Sequence, residues 1–292
     1  MSTHCIYSLD DFLPQVITQK CWTAWRTEER QNKTGDVKIT KVPYQTVTSQ
    51  SRSNDPTTWI SIEDAEAVAA TEGFINGGMG GVGLWLGIEY GTEYRVGGVD
   101  LDSCLSPNLT PWAKEIIDRL NTYGEISPSR TGIKLYFLYR VTDLDAIRLI
   151  TGTDWSKNFK ERTGADHAPG FELHIGHRYF AMTGDLYDGC PEVLRVIEVD
   201  DIAWLINVVG QRFTRPEPDS PSAQRYTATS SSQKRDYSRS GVAASRLLSL
   251  WVNGFVETFE QAKERLLNDP DPNIVAWMNE KGVGAPRPQR GI

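Results

Sequence analysis

Val96-Gly97-Gly98-Val99-Asp100-Leu101-Asp102 has the make-up of a β-strand that carries two acids at its end. Side chains alternate faces along a strand, so Asp100 and Asp102 project together while Val99 and Leu101 point to the other side. Two neighbouring carboxylates repel each other, and a hard divalent cation with oxygen ligands relieves that repulsion. The plain alternative is a pair of acids on a solvated strand end. The same pattern also occurs in nucleases and sugar transferases.

Working outward from that strand, helix and strand signals are mixed. Trp22 to Arg26 and Val37 to Tyr44 read as paired strands around the turn-prone stretch Asn32 to Asp36. Ser61 followed by Asp64 fits a capping box, opening a helix that Gly73 ends. Val82 to Ile88 reads as a further strand. Thr110-Pro111 starts a helix running to about Tyr123, with proline suited to the first turn. Ile133 to Tyr139 is a strongly apolar strand, and short strands follow at Phe171 to His174 and Tyr179 to Thr183. The pattern predicts an α+β fold with mixed or antiparallel sheets and flanking helices.

The chain has 292 residues, 39% of them hydrophobic and 24% charged, which suits a large well-buried core. Asp10 and Asp11 stand where an export signal carries its apolar core, so neither secretion nor a membrane is expected. Cys5, Cys21, Cys104 and Cys190 lack CxxC spacing, which excludes a cysteine-rich zinc module and suits a reducing cytoplasm. A net charge of −7 argues against a protein that coats nucleic acid, yet leaves room for a groove that is locally positive. Residues 215–240 are nearly devoid of apolar side chains and read as a linker. Apolar periodicity returns at Leu247, Leu248 and Trp251. The expected division is a catalytic domain over 1–210, a flexible linker over 211–240, and a small helical module with a tail over 241–292. No GxxxxGK[ST] motif occurs, so no P-loop motor is encoded here.

Glu172, between Phe171 and Leu173, is a third carboxylate on a strand. An exposed strand glutamate is its simplest reading. With Asp100 and Asp102 it forms the set that phosphoryl transfer by two metal ions requires. The turn from Ser127 through Ser129, Arg130 and Thr131 to Gly132 offers hydroxyls and backbone amides to a phosphate, followed by Lys134 on an apolar strand. A lysine there needs an anionic partner or a solvent-facing edge. Arg178 is a second candidate for phosphate contact, and Arg26 and Lys41 flank the early strands as candidates for a template groove. Glu172, His174 and His177, with His167 nearby, could alternatively form a transition-metal site of a hydrolase or nuclease.

Several of these segments together resemble the archaeo-eukaryotic primase superfamily, and within it the primase-polymerase domains of phage and plasmid replication proteins. The segments are Lys41-Val42-Pro43-Tyr44 with Asn54-Asp55-Pro56 and Trp59, Val99-Asp100-Leu101-Asp102, Tyr123 to Gly132, and Phe171-Glu172 through Arg178-Tyr179-Phe180 to Thr183-Gly184. They span about residues 20–190. The resemblance implies a primase-polymerase catalytic core with Asp100, Asp102 and Glu172 as ligands of Mg²⁺ or Mn²⁺. Ser129, Lys134 and Arg178 would hold the phosphates of a nucleoside triphosphate, and Arg26, Lys41 and Arg130 would face a single-stranded DNA template. A replicative helicase is a candidate partner. The chain departs from the pattern at Lys134, where the motif has histidine, and at Arg130, where it has glycine. Lysine keeps a cation for phosphate but cannot serve as a neutral ring or a near-neutral acid. A non-catalytic replication module that binds DNA or nucleotide is the alternative that Lys134 and the acidic total charge support.

Overall fold

The computed structural model describes residues 6–31, 35, 37–105, 108–161 and 168–214. The expected helical module, residues 215–240 of the expected linker, His167 and most of the turn at Asn32 to Asp36 lie outside the described residues. Residues 211–214, expected as linker, are described and are helical, with Arg212 paired to Glu115. In chain order the elements are β1 (Ile6–Ser8), α1 (Leu9–Ile17), β2 (Trp22–Gln31), β3 (Val37–Tyr44), α2 (Ile62–Ala70), β4 (Gly80–Trp85), β5 (Glu89–Tyr90) and β6 (Tyr94–Asp102). There follow α3 (Pro111–Leu120), β7 (Gly124–Ile126), β8 (Ile133–Arg140), α4 (Leu144–Thr151), β9 (Ser156–Lys160), β10 (Gly170–His174), β11 (Tyr179–Ala181) and β12 (Val193–Arg195). Last come α5 (Val199–Trp204) and α6 (Gly210–Thr214), joined by a π-helical turn at Leu205–Val209.

The strands form two main sheets. One has the order β7-β8-β6-β10-β9, with β5 also on β6; the other has the order β11-β4-β2-β3. All pairings between these named strands are antiparallel. The mixed α+β architecture with flanking helices is therefore the one the sequence leads to.

Strand alternation explains how the layers meet. On one face of the larger sheet, Val99, Leu101, Ile133, Leu135, Phe137, Tyr139, Phe171 and Leu173 pack with Ile116, Ile117 and Leu120 of α3 and Ile147 and Ile150 of α4. On the other face, Val96, Tyr136 and Leu138 share a core with Trp22, Leu84, Trp85 and Phe180 of the smaller sheet. Each face thus buries apolar surface, at roughly 25 cal/mol per Å² removed from water. Asp100, Asp102 and Glu172 belong to the second face, the one turned toward the smaller sheet.

Some boundaries differ from the sequence reading, each for a local reason. α3 stops at Leu120 because Asn121 adopts the left-handed conformation and its N–H closes on the Ile117 carbonyl at 2.8 Å. α2 stops at Ala70, with Gly73 in the left-handed region three residues on; its Ser61 cap is as expected, accepting from the Asp64 N–H. β4 ends at Trp85, since the chain turns at Gly87 (φ +84°), where a Cβ would lie 2.9 Å from the Gly176 backbone. The sequence reading did not find α1, whose interior Pro14 masks it, nor the short strand β9.

Candidate active site

Register brings the three acids together. Across the antiparallel pair β6 and β10, Asp100 stands directly opposite Glu172, and Asp102 opposite Gly170. Directly opposed residues share a face, with Cβ atoms about 4.5–5.5 Å apart. The row extends in both directions: Glu125 on β7, Lys134 on β8, Asp100 on β6, Glu172 on β10 and Asn158 on β9 are successive cross-strand partners. A second row runs Asp102, Gly170, Lys160. A stripe of polar and charged side chains therefore crosses this face beside the buried Val96, Tyr136 and Leu138.

Cations lie among these carboxylates. The Lys134 ammonium donates to Asp100, and both side chains are nearly buried. Lys134 also sits 4.6 Å from the centroid of the Phe180 ring, a cation–π contact. Lys160 Nζ donates to Asp102 at 2.8 Å and lies 2.9 Å from Glu172 Oε1. His174 Nε2 is 3.1 Å from Glu172 Oε2, and Arg178 Nη2 is 4.0 Å from the same oxygen.

These neighbours set the protonation preferences. The His174 hydrogen bond, with help from Lys160 and Arg178, holds the Glu172 carboxyl well below the usual carboxylate range despite burial. Burial and the charge of Asp100 push Asp102 up, against the pull of Lys160. Burial pulls Lys160 down, but its hydrogen bonds to Asp102 and Glu172 outweigh that and leave it raised. Asp102 and Glu172, though bound to one ammonium, are thus driven in opposite directions.

The smaller sheet supplies the facing wall. A Cβ at Gly98 would run into the Phe180 ring, so the glycine two residues before Asp100 lets β11 approach the sheet. Phe180 packs edge-on against Tyr136 and His174. Lys41 on β3 comes within electrostatic reach of the cluster: burial, then the Lys134 charge, lowers its pKa, while Asp100 and Asp102 oppose the shift. Arg26 goes elsewhere. In the β2–β3 ribbon it opposes Val42, one position off from Lys41, so it points to the other face. There it binds Glu28 at 2.9 Å, the Tyr44 hydroxyl and the Phe74 carbonyl.

The Ser127–Gly132 turn is held at the edge of this stripe. Ser127 N–H donates to the Gly132 carbonyl at 2.8 Å, and the Ser129 hydroxyl is 3.0 Å from those of Ser127 and Thr131. Gly132 is needed because a Cβ there would stand 2.5 Å from the Leu101 carbonyl, between the two aspartates in sequence. Arg130 adopts the left-handed conformation (φ 65°) and pairs with Asp185 in the open. Buried Glu125 ties the turn's base down by accepting from Tyr123 Oη at 2.6 Å and Thr183 N–H at 2.7 Å.

Two candidate metal centres were open from sequence. Among the described residues the histidine-based one is not assembled: His174 touches Glu172, whereas His177 stacks on Trp155 at 3.9 Å. For the carboxylates, the donor chemistry fits a hard divalent cation, since Asp102 and Glu172 already converge on one positive group. As the side chains stand, no group of three or more His, Cys, Asp or Glu among the described residues is arranged to hold a metal ion. The ammonium groups of Lys134 and Lys160 bind these carboxylate oxygens.

No family model matches the chain. Over 176 residues, 59% of its length, the chain is 25% identical to a protein named DNA Primase-polymerase from Nitratiruptor phage NrS-1. The match supports a distant relationship between this chain and that phage protein. It spans only 20% of that curated relative's length. No helix among the described residues is long and apolar enough to cross a membrane.

One member of the cluster, Lys160, escaped the sequence reading. Lys160 sits in Ser156-Lys157-Asn158-Phe159-Lys160, a polar strand whose alternation is too short to separate from a loop. His174 entered that reading only through the alternative metal site, on the ground that it shares a strand face with Glu172, and it is here Glu172's hydrogen-bond partner.

Proposed function

We propose that this chain is a template-directed nucleotidyltransferase, joining the α-phosphate of a nucleoside triphosphate to a 3′-hydroxyl on a single-stranded DNA template, with Mg²⁺ or Mn²⁺ as cofactor. The observation that carries this reading is the juxtaposition of Asp100 and Glu172 as direct cross-strand partners, with Asp102 on the same face, in a chain related to a phage primase-polymerase.

Asp100, Asp102 and Glu172 are the residues that would hold the ions. Bound there, divalent cations supply charge neutralisation for the attacking and leaving oxygens of an in-line displacement. The chain's own groups do the rest. Arg178, whose side chain is 53% exposed, is free to turn toward phosphate oxygens. Ser129 and its neighbours present hydroxyls at the mouth of the stripe. Lys134, buried against Asp100, fixes that carboxylate and adds positive potential for an incoming polyanion. Lys41 adds a further positive group from the facing sheet.

Primer extension on a single-stranded template with Mn²⁺ tests the proposal. Asp100→Asn and Asp102→Asn are expected to abolish incorporation with little loss of template binding. Extension retained by both variants would overturn it.

A further inference from the structure

Lys160 reaches across a neighbouring strand to find its partners. It lies on β9, and Asp102 lies two strands away on β6, in one cross-strand row with Gly170 between them. Gly170 lets β9 and the lysine stem come close: a Cβ there would stand 2.2 Å from the Phe159 carbonyl, 2.8 Å from Lys160 Cα and 2.9 Å from Lys160 Cγ. A missing side chain in the middle strand thus opens the lane through which the ammonium contacts Asp102 at 2.8 Å and Glu172 at 2.9 Å.

The two lysines at the carboxylates are differently held. Lys134 is 8% exposed and stacked on Phe180, so it is fixed in place. Lys160 is 35% exposed, ends its strand, and has solvent beside it. A divalent ion drawn to Asp102 and Glu172 needs the oxygens that this ammonium now occupies, and the two positive charges repel strongly at such range. The lysine must therefore move when the ion binds. Its long flexible stem then needs another anion, and the triphosphate accompanying the ion is one.

We propose that Lys160 is an exchange cation: it neutralises Asp102 and Glu172 until a divalent ion displaces it, and then passes to the triphosphate, so that metal ion and nucleotide bind with positive coupling. This rests on the reading of Asp100, Asp102 and Glu172 as metal ligands. Because linkage is reciprocal, the coupling is the same measured from either ligand.

The test is Mn²⁺ titration of the full chain, with free Mn²⁺ read by electron paramagnetic resonance, without and with a non-hydrolysable nucleoside triphosphate. For the natural sequence, nucleotide is expected to tighten Mn²⁺ binding about tenfold. Lys160→Met keeps the stem and removes the charge. It should bind Mn²⁺ roughly fivefold tighter without nucleotide and lose most of the coupling. Lys160→Arg, which keeps the charge, should stay near the natural sequence. Mn²⁺ affinity that is unchanged or weaker in Lys160→Met, with coupling intact, overturns the exchange role alone, provided that Asp102→Asn abolishes uptake. Mn²⁺ uptake indifferent to Asp102→Asn overturns the carboxylate reading itself, and this proposal with it.

Discussion

Lys134→Met removes one member of a nearly buried ion pair, and the structure sets the size of the consequence. The Lys134 and Asp100 side chains are only 8% and 11% exposed, so water cannot replace the lost partner. Breaking a buried pair from one side costs about 3–5 kcal/mol, because the remaining charge is left uncompensated. That is a large share of the roughly 5–15 kcal/mol by which a folded protein is stable. Methionine fills a similar volume and can rest against Phe180, so the loss is electrostatic rather than a cavity. In a domain of this size, each kcal/mol shifts the melting midpoint by about 2–4 °C, which puts the drop on the order of 10 °C. Asp100→Asn should destabilise less, since the amide still accepts from the ammonium. The double variant Asp100→Asn with Lys134→Met should recover much of the loss, giving a coupling of about 2 kcal/mol in a double-mutant cycle. Urea unfolding followed by tryptophan fluorescence provides the measurement. Single-variant losses below about 1 kcal/mol that add without coupling would refute the argument that this pair is a desolvated unit.

Two other perturbations follow from the same structure. Gly98→Ala places a methyl group against the Phe180 ring; overpacking of this kind costs about 1–3 kcal/mol, and unchanged urea stability would show that β11 does not pack there as described. Glu28 has its carboxyl lowered, first by the Tyr44 hydroxyl and then by Arg26, against burial, so it contributes stability that is present above the ordinary glutamate value of about 4.3 and lost as pH falls through its lowered folded value. Glu28→Gln should therefore flatten the acid limb of a stability–pH profile while leaving stability changes between pH 6 and 8 unaltered, and an unchanged acid limb would remove Glu28 from that role.

Much of the architecture was legible because local signals agreed with tertiary ones. The alternation in Val96 to Asp102 and Ile133 to Tyr139, the Ser61 cap and the Thr110-Pro111 helix start all reappear where their chemistry places them. What alternation could not supply was register. Asp100 and Asp102 were readable as one face of one strand, but their meeting with Glu172 depends on which residue of β10 lies opposite Asp100. A one-residue slip would have turned Glu172 to the helix-covered face. Arg26 and Lys41 looked alike in sequence. Only the pairing of β2 with β3 sends Lys41 toward the carboxylates and Arg26 to Glu28, Tyr44 and Phe74.

The charge of the whole chain, −7, points away from nucleic acid, yet it describes nothing about the stripe. There, three acids are met by Lys134, Lys160, His174 and Arg178, with Lys41 facing them. Screening confines exposed charges to about 8 Å at physiological ionic strength, so a ligand at the stripe responds to these groups and hardly to acids on distant surfaces. The histidine that the resembling motif has at position 134 would leave Asp100 with a partner of variable charge. Lys134 instead pairs with it by an ammonium that is nearly buried and held against Phe180. The adjustable positive charge must then come from a group that is exposed and ends its strand. Among the two lysines that touch the carboxylates, only Lys160 meets both conditions. The lysine at 134 and the glycine lane at 170 are, on the exchange proposal, two halves of one electrostatic arrangement: a fixed cation on Asp100 and a movable one shared by Asp102 and Glu172.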